Sequence, residues 1–218
     1  MNLFITGTDT DVGKTYVTTL LVRALARRGD RVMPFKPIAC GTREDATQLL
    51  KASGRKDITV DDVNPVWFKS RAAPFAASMI EGGGVDVVQL AEQAKALAKV
   101  NDHLIVEGAG GWEVPVTADQ AMSDFAALLG YPVLVVVDNK LGALNHTILT
   151  VRQVEAFDLK VAGLVLNHVR PERDAASISN RVVLEQFLGC PIVAELHFEE
   201  EDIDLAPVEE AVRLVAKL

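Results

Sequence analysis

Short apolar runs, rich in β-branched residues, recur along the chain and alternate with longer stretches of helical periodicity. The runs at 3–6 (LFIT), 31–36 (RVMPFK), 103–107 (HLIVE), 133–137 (VLVVV), 161–167 (VAGLVLN) and 191–194 (PIVA) predict strands. Apolar positions spaced three and four apart predict helices at about 14–28, 44–53, 86–100, 121–130, 144–156, 174–189 and 206–217. The strands are apolar throughout rather than alternating, so both of their faces are buried. Strands of that kind, each followed by a helix, predict an α/β fold: a doubly wound, mostly parallel sheet flanked by helices. The segment 56–80 is the least periodic, carrying Pro65, Trp67, Pro74 and Phe75, and reads as a surface excursion near the site. No internal repeat or linker divides the chain, and 1–218 reads as a single domain.

Composition narrows the partners. The chain has 22 basic and 30 acidic residues, a net charge of −8, which argues against nucleic acid and anionic membranes. The longest apolar run, at 133–137, is too short to span a bilayer. Two cysteines, Cys40 and Cys190, are too few for a disulfide framework and predict reduced thiols in a cytoplasmic protein.

The first strand runs into GTDTDVGKTY, Gly7 to Tyr16. Gly13-Lys14-Thr15 match the end of the phosphate-binding loop G-x-x-x-x-G-K-[ST]. The first glycine falls one residue early, at Gly7, and Thr8 holds its place. A strand, a glycine-bearing turn and Lys-Thr opening a helix make an anion site of the P-loop NTPase kind. Backbone N–H groups at the helix N-terminus face the phosphates, Lys14 reaches the β and γ oxygens, and the Thr15 hydroxyl suits Mg²⁺.

Three other strand ends face the same crevice, because ligands in such sheets gather at the C-terminal ends of strands. FKPIACG places Lys36 there, either as a site cation or as a solvated surface charge. HLIVEGAGG places Glu107 there, followed by Gly108, Ala109 and Gly110, whose small size lets backbone approach phosphate. GLVLN ends on Asn167, which either reads an adenine edge or closes a strand-end turn. Asp45 opens a helix, where an acid also complements the helix dipole. The four histidines lack metal-ligand spacing, and there is no nucleophile elbow.

GTDTDVGKT, FKPIACG, VEGAGGWEVP and NKLGALNH, in this order, resemble the dethiobiotin synthetases over about residues 2–198. The resemblance implies an ATP-dependent cyclo-ligase of biotin biosynthesis. It joins CO₂ to 7,8-diaminopelargonic acid and closes a ureido ring, acting as a homodimer with ATP as co-substrate and Mg²⁺. Residue by residue, it implies that Asp11, Val12, Gly13, Lys14, Thr15 and Tyr16 bind the triphosphate. It makes Lys36 catalytic beside Lys14, and makes Thr15, Asp45 and Glu107 the Mg²⁺ ligands. Asn167, His168 and the stretch His197, Phe198 and Glu199 fall at nucleotide-contacting positions. Cys40 and Thr10 fall at substrate positions, and Gly142, Ala143, Leu144 and Asn145 open a helix that holds the substrate carboxylate across the dimer. The chain departs from the family at Cys40, where serine is usual, at Asp11, where glutamate is common, and at Phe75, where histidine is frequent.

Two further expectations bear on the site. Lys36 is expected to lower the pKa of the nearby Cys40 thiol and make it reactive. Asp9 is expected to brace the loop through its own backbone. The competing class is a deviant P-loop ATPase switch that gates dimerisation or partner binding. Such proteins carry a lysine early in the loop, where this chain has Asp9.

Overall fold

The computed structural model describes residues 1–217. Six strands form one parallel sheet: β1 (Asn2–Gly7), β2 (Val32–Phe35), β5 (His103–Glu107), β6 (Val133–Asp138), β7 (Val161–Asn167) and β8 (Ile192–Leu196). Their spatial order is β2-β5-β1-β6-β7-β8. Two short strands, β3 (Ile38–Cys40) and β4 (Val66–Phe68), pair in parallel as a separate small sheet. The helices are α1 (Lys14–Arg27), α2 (Glu44–Ser53), α3 (Val60–Val63), α4 (Pro74–Glu81), α5 (Val87–Lys99), α6 (Met122–Leu129), α7 (Ala143–Ala156), α8 (Ala175–Phe187) and α9 (Leu205–Val215).

The uninterrupted apolar strands divide by alternation between two cores. On β1, Leu3 and Ile5 pack with Val17 and Leu21 of α1 and Val208 and Val212 of α9. Phe4 faces the other way, into the cluster that holds Leu49 of α2, Leu90 of α5, Phe125 of α6 and Val151 of α7. All six residues of β6 are buried, as a strand covered by helices on both faces requires.

This topology places the site. β1 pairs with β5 on one side and β6 on the other. The chain leaves the sheet after β5 and returns on the opposite side of β1, so a crevice opens over the C-terminal end of β1. The Gly7–Tyr16 loop lies there, between the ends of β5 and β6.

The second predicted strand differs from the structure in an informative way. The run at 31–36 holds its pairing only from Val32 to Phe35, and β2 is an edge strand, where Pro34 is tolerated. At Lys36 the backbone turns away from the sheet. Its N–H donates to the Val63 carbonyl and its carbonyl accepts from the Asn64 side chain, 2.8 Å each. Pro37 has no N–H to continue the ladder, and the chain restarts as β3. The aperiodic segment 56–80 supplies the partner for β3, together with α3 and α4.

Candidate active site

The phosphate loop takes its shape from two left-handed residues. Asp11 has φ 58° and Gly13 has φ 90°. At Gly13 only glycine fits: a Cβ there would lie 2.1 Å from Asn167 Nδ2. That amide donates to the Val12 carbonyl at 3.0 Å, so the end of β7 is fastened to the loop from across β6. Gly13 leaves the first turn of α1 without a side-chain cap, so its N–H groups point into the crevice. Asp9 braces the loop as expected, its carboxylate accepting from Thr10 N–H at 2.7 Å.

The buried charges converge at the ends of three neighbouring strands. Lys14 Nζ donates to the Asp9 carbonyl at 2.9 Å. Lys36 Nζ donates to Glu107 Oε1 at 2.5 Å and to Asp45 Oδ2 at 2.8 Å. Thr15 Oγ1 donates to the same Glu107 oxygen at 2.7 Å. Glu107 is wholly buried, and its second oxygen, Oε2, has no hydrogen-bond partner. Asp45 reaches the cluster from the first turn of α2. Thr15, Asp45, Lys36 and Glu107 are thus drawn from four elements into one hydrogen-bonded group.

The two lysines respond differently to the same pocket. Burial, then the charge of Lys36, pushes Lys14 down to about 8. Burial would also lower Lys36, but Glu107 and Asp45 reverse this and hold it above the ordinary lysine value. Lys36 is therefore a fixed cation, and Lys14 is a cation short of anionic partners.

Cys40 corrects one expectation. Its thiol is pushed up, not down, because partial burial and Glu81 outweigh the nearby Lys36. It is half-buried at the end of β3, a packed thiol and not an activated one.

Other predicted positions lie in the neighbouring loops. Gly108, Ala109 and Gly110 follow Glu107 directly, with Gly110 at φ 64°. Thr8, Asp9, Thr10, Gly111, Trp112, Glu113, Val114, and Leu149, Thr150 and Gln153 of α7 line a cavity of about 270 Å³ beside the loop. Tyr16 donates its hydroxyl to the Glu200 carbonyl, tying the His197–Glu199 loop to α1. Glu199 sits at φ 60° in that loop. His168 is buried, its Nε2 2.9 Å from Glu195, and its ring stacks on His197 at 5.6 Å. His168 therefore supports the loop from behind. Gly142 and Asn145 are exposed at the start of α7, whose first turn has no side-chain cap.

Sequence reasoning missed Asn64 and Arg43, which hold Lys36 and the start of α2 from the far side. The Asn64-Pro65 pair is a turn signal, and nothing local shows which strand the turn would brace.

The sequence model of a family described as "AAA domain" matches residues 1–203. An ATP-dependent dethiobiotin synthetase BioD of Akkermansia muciniphila is 42% identical over 204 residues, 94% of this chain and 95% of that protein. One from Anaeromyxobacter dehalogenans strain 2CP-C is 44% identical, covering 91% of both chains. One from Bacillus subtilis strain 168 is 32% identical, covering 87% of this chain and 84% of that protein. Among solved structures, the septum site-determining protein MinD of Pyrococcus horikoshii, complexed with Mg-ADP, superposes with a TM-score of 0.59. That match has 18% identity and covers 97% of this chain and 87% of the other. A cell division protein FtsY of Thermotoga maritima gives a TM-score of 0.56 at 17% identity, over 97% and 68% of the two chains. These distant structures share the fold. The relatives, matched along nearly all of both chains, share far more, and the chain belongs to the ATP-dependent dethiobiotin synthetase family.

Proposed function

We propose that this protein carboxylates 7,8-diaminopelargonic acid with CO₂ and closes the ureido ring of dethiobiotin at the expense of ATP, as one domain spanning the chain. The observation that carries the reading is a second buried ammonium, Lys36, set beside a phosphate loop and held by two carboxylates. An ATPase switch needs the loop. A carbamate that must be phosphorylated needs a further fixed cation.

In this reading one substrate amine and CO₂ form a carbamate and release a proton. A carbamate oxygen attacks the γ-phosphorus and ADP departs, leaving a carbamic–phosphoric anhydride. The second amine attacks the carbonyl carbon, expels phosphate and gives up its proton as the ring closes. Lys14 and the α1 N–H groups hold the β and γ oxygens. Lys36 stabilises the carbamate and the negative charge that builds during transfer. Asp11, exposed on the loop, offers a carboxylate to the cationic diamine. Thr10, Cys40 and the 270 Å³ cavity beside the loop would receive the rest of that substrate. Asn167 and the tied-down His197–Glu199 loop, supported from behind by His168, would take the nucleotide base.

Magnesium suits the residues present. Thr15, Asp45 and Glu107 are hard oxygen donors, and the unpartnered buried Oε2 of Glu107 favours a ligand in reach. They would hold Mg²⁺, which when bound would neutralise phosphate charge. We also infer a homodimer, with Gly142 to Asn145 of one protomer completing its partner's substrate site. The exposed start of α7 supports this. Free cysteines and the absence of any membrane-crossing helix among the described residues fit a cytoplasmic enzyme.

The switch reading is weakened by Asp9, which occupies the place of the signature lysine. Purified protein given ATP, Mg²⁺, bicarbonate and the diamine is expected to yield dethiobiotin by mass spectrometry, with ADP release dependent on both co-substrates. ADP release independent of the diamine would overturn the reading. Lys36→Ala is expected to lower turnover by at least a hundredfold with ATP affinity little changed, whereas Lys14→Ala weakens ATP binding itself. Calorimetry on folded variants checks this, and equal loss of ATP binding in both would refute the division of labour.

A further inference from the structure

We propose that Asn64 and Arg43 form a positioning bracket that sets Lys36 against Asp45. The inference rests on the reading of Lys36 as the catalytic lysine and deepens it.

Lys36 stands where a strand has ended. Its backbone is no longer fixed by the main sheet, yet its side chain must meet Glu107 and Asp45 on different elements. The turn after α3 supplies the missing constraint. Lys36 N–H donates to the Val63 carbonyl, and the Asn64 side-chain amide donates to the Lys36 carbonyl, both at 2.8 Å. The same amide donates to the Val66 carbonyl at 2.9 Å, which ties the turn to β4. Asn64 is only 1% exposed and has no spare bond to give.

Arg43 joins this turn to the other half of the cluster. Its Nε donates to Asn64 Oδ1 at 3.1 Å, and its Nη2 to the Asn64 carbonyl at 2.7 Å. Nη1 pairs with Asp61 at 2.8 Å, and the guanidinium lies 5.3 Å from the Trp67 ring. Arg43 is also the N-cap residue of α2, two positions before Asp45. One planar side chain thus links the turn that fixes the backbone of Lys36 to the helix start that carries its partner. Trp67 extends the bracket, its indole N–H donating to the Gly41 carbonyl at 2.8 Å, next to Cys40.

None of these side chains bonds Lys36 Nζ. They act through backbone, so they are positioning residues. A misplacement of the order of an ångström at a reacting group costs about a hundredfold in rate. Loss of the bracket should therefore slow the chemical step and spare the phosphate loop, which is built on β1 and α1.

The test compares Arg43→Ala, Arg43→Lys and Asn64→Asp with the parent and with Lys36→Ala. Asn64→Asp keeps size and the acceptor for Arg43 but removes the donor to Lys36 and Val66. Turnover at saturating substrates, ATP Kd by calorimetry and Tm are measured for each. Arg43→Ala and Asn64→Asp are expected to turn over at least tenfold more slowly with ATP Kd within threefold of the parent. Free guanidinium should restore part of the rate to Arg43→Ala and none to Asn64→Asp. Parental turnover in either folded variant, or ATP affinity falling in step with rate, would overturn the proposal. If both variants fail to fold, Arg43→Lys decides: it keeps charge but not the fork, and parental turnover there counts against the bracket. A parent that forms no dethiobiotin, or a Lys36→Ala variant at full rate, would instead refute the underlying reading.

Discussion

Cys40 and Lys36 lie near one another, yet their ionisation is set by different neighbours. Lys36 keeps its charge because two carboxylates touch it. Cys40 touches neither, and partial burial together with Glu81 pushes its thiol up. The thiolate is the reactive form, so a raised pKa leaves less of it at neutral pH. Iodoacetamide should therefore modify Cys40 more slowly than a free cysteine at pH 8, with the rate climbing at pH above the usual thiol range. Cys190, pushed up to about 11 mainly by burial, should be slower still. Mass spectrometry of alkylated peptides across pH 7 to 10 reads both rates. A Cys40 faster than the free thiol at pH 8 would show that Lys36 governs it after all. Because sulfur forms no bond in the proposed chemistry, Cys40→Ser should keep most activity.

At the scale of elements, two helices open on left-handed glycines, and they should respond differently to a methyl group. Gly142 has φ 91° and open space around its missing Cβ. Gly142→Ala should cost only the backbone term, about 1–2 kcal/mol. Gly13 has nearly the same φ, but its Cβ would displace Asn167 Nδ2 from its bond to Val12. Gly13→Ala should add the loss of a buried hydrogen bond, about 2–4 kcal/mol in all, and abolish ATP binding. Urea unfolding separates the two, and equal losses would mean that Asn167 yields without cost. This fastening shows what the sequence makes legible. Six strands of the main sheet could be read because each is an unbroken apolar run, and seven helices because each repeats a helical period over several residues. Lys36 and Glu107 could be read because each closes an apolar run, and Lys14 because it opens α1 within a phosphate-loop motif. The β3–β4 sheet could not, since its strands are three residues long and their partners are far apart in sequence. The bonds from Asn167 to Val12 and from Asn64 to Lys36 are likewise side chain to backbone across distant segments. No spacing rule encodes them.

At the scale of the whole molecule, the buried polar cluster forms within one chain, whereas Gly142 and Asn145, in the proposed carboxylate cradle, are exposed. Thr15, Lys36, Asp45 and Glu107 bond one another directly. Leu141 is 79% exposed, and α8 carries Ile178, Val182 and Phe187 outward. Ile178 and Val182 are four residues apart, hence on one face of α8, and α8 packs beside α7. Exposed apolar side chains on one helix face fit the association surface of the proposed homodimer. If a second copy covers it, ATP binding and turnover should separate on disruption. An Ile178→Asp, Val182→Asp double variant should run as a monomer by analytical ultracentrifugation, bind ATP normally and make no product. Complementation tests the shared site more sharply. Lys36→Ala lacks the lysine but has an intact α7 start, and Gly142→Trp has the converse. Under two-fold symmetry a mixed dimer holds one wholly intact site and one doubly damaged site. Half of randomly assorted dimers are mixed, so an equimolar, exchanged mixture should recover about a quarter of parental activity. Recovery fails if each chain supplies its own carboxylate cradle, since every site would then carry one lesion, and the cross-dimer arrangement would be wrong.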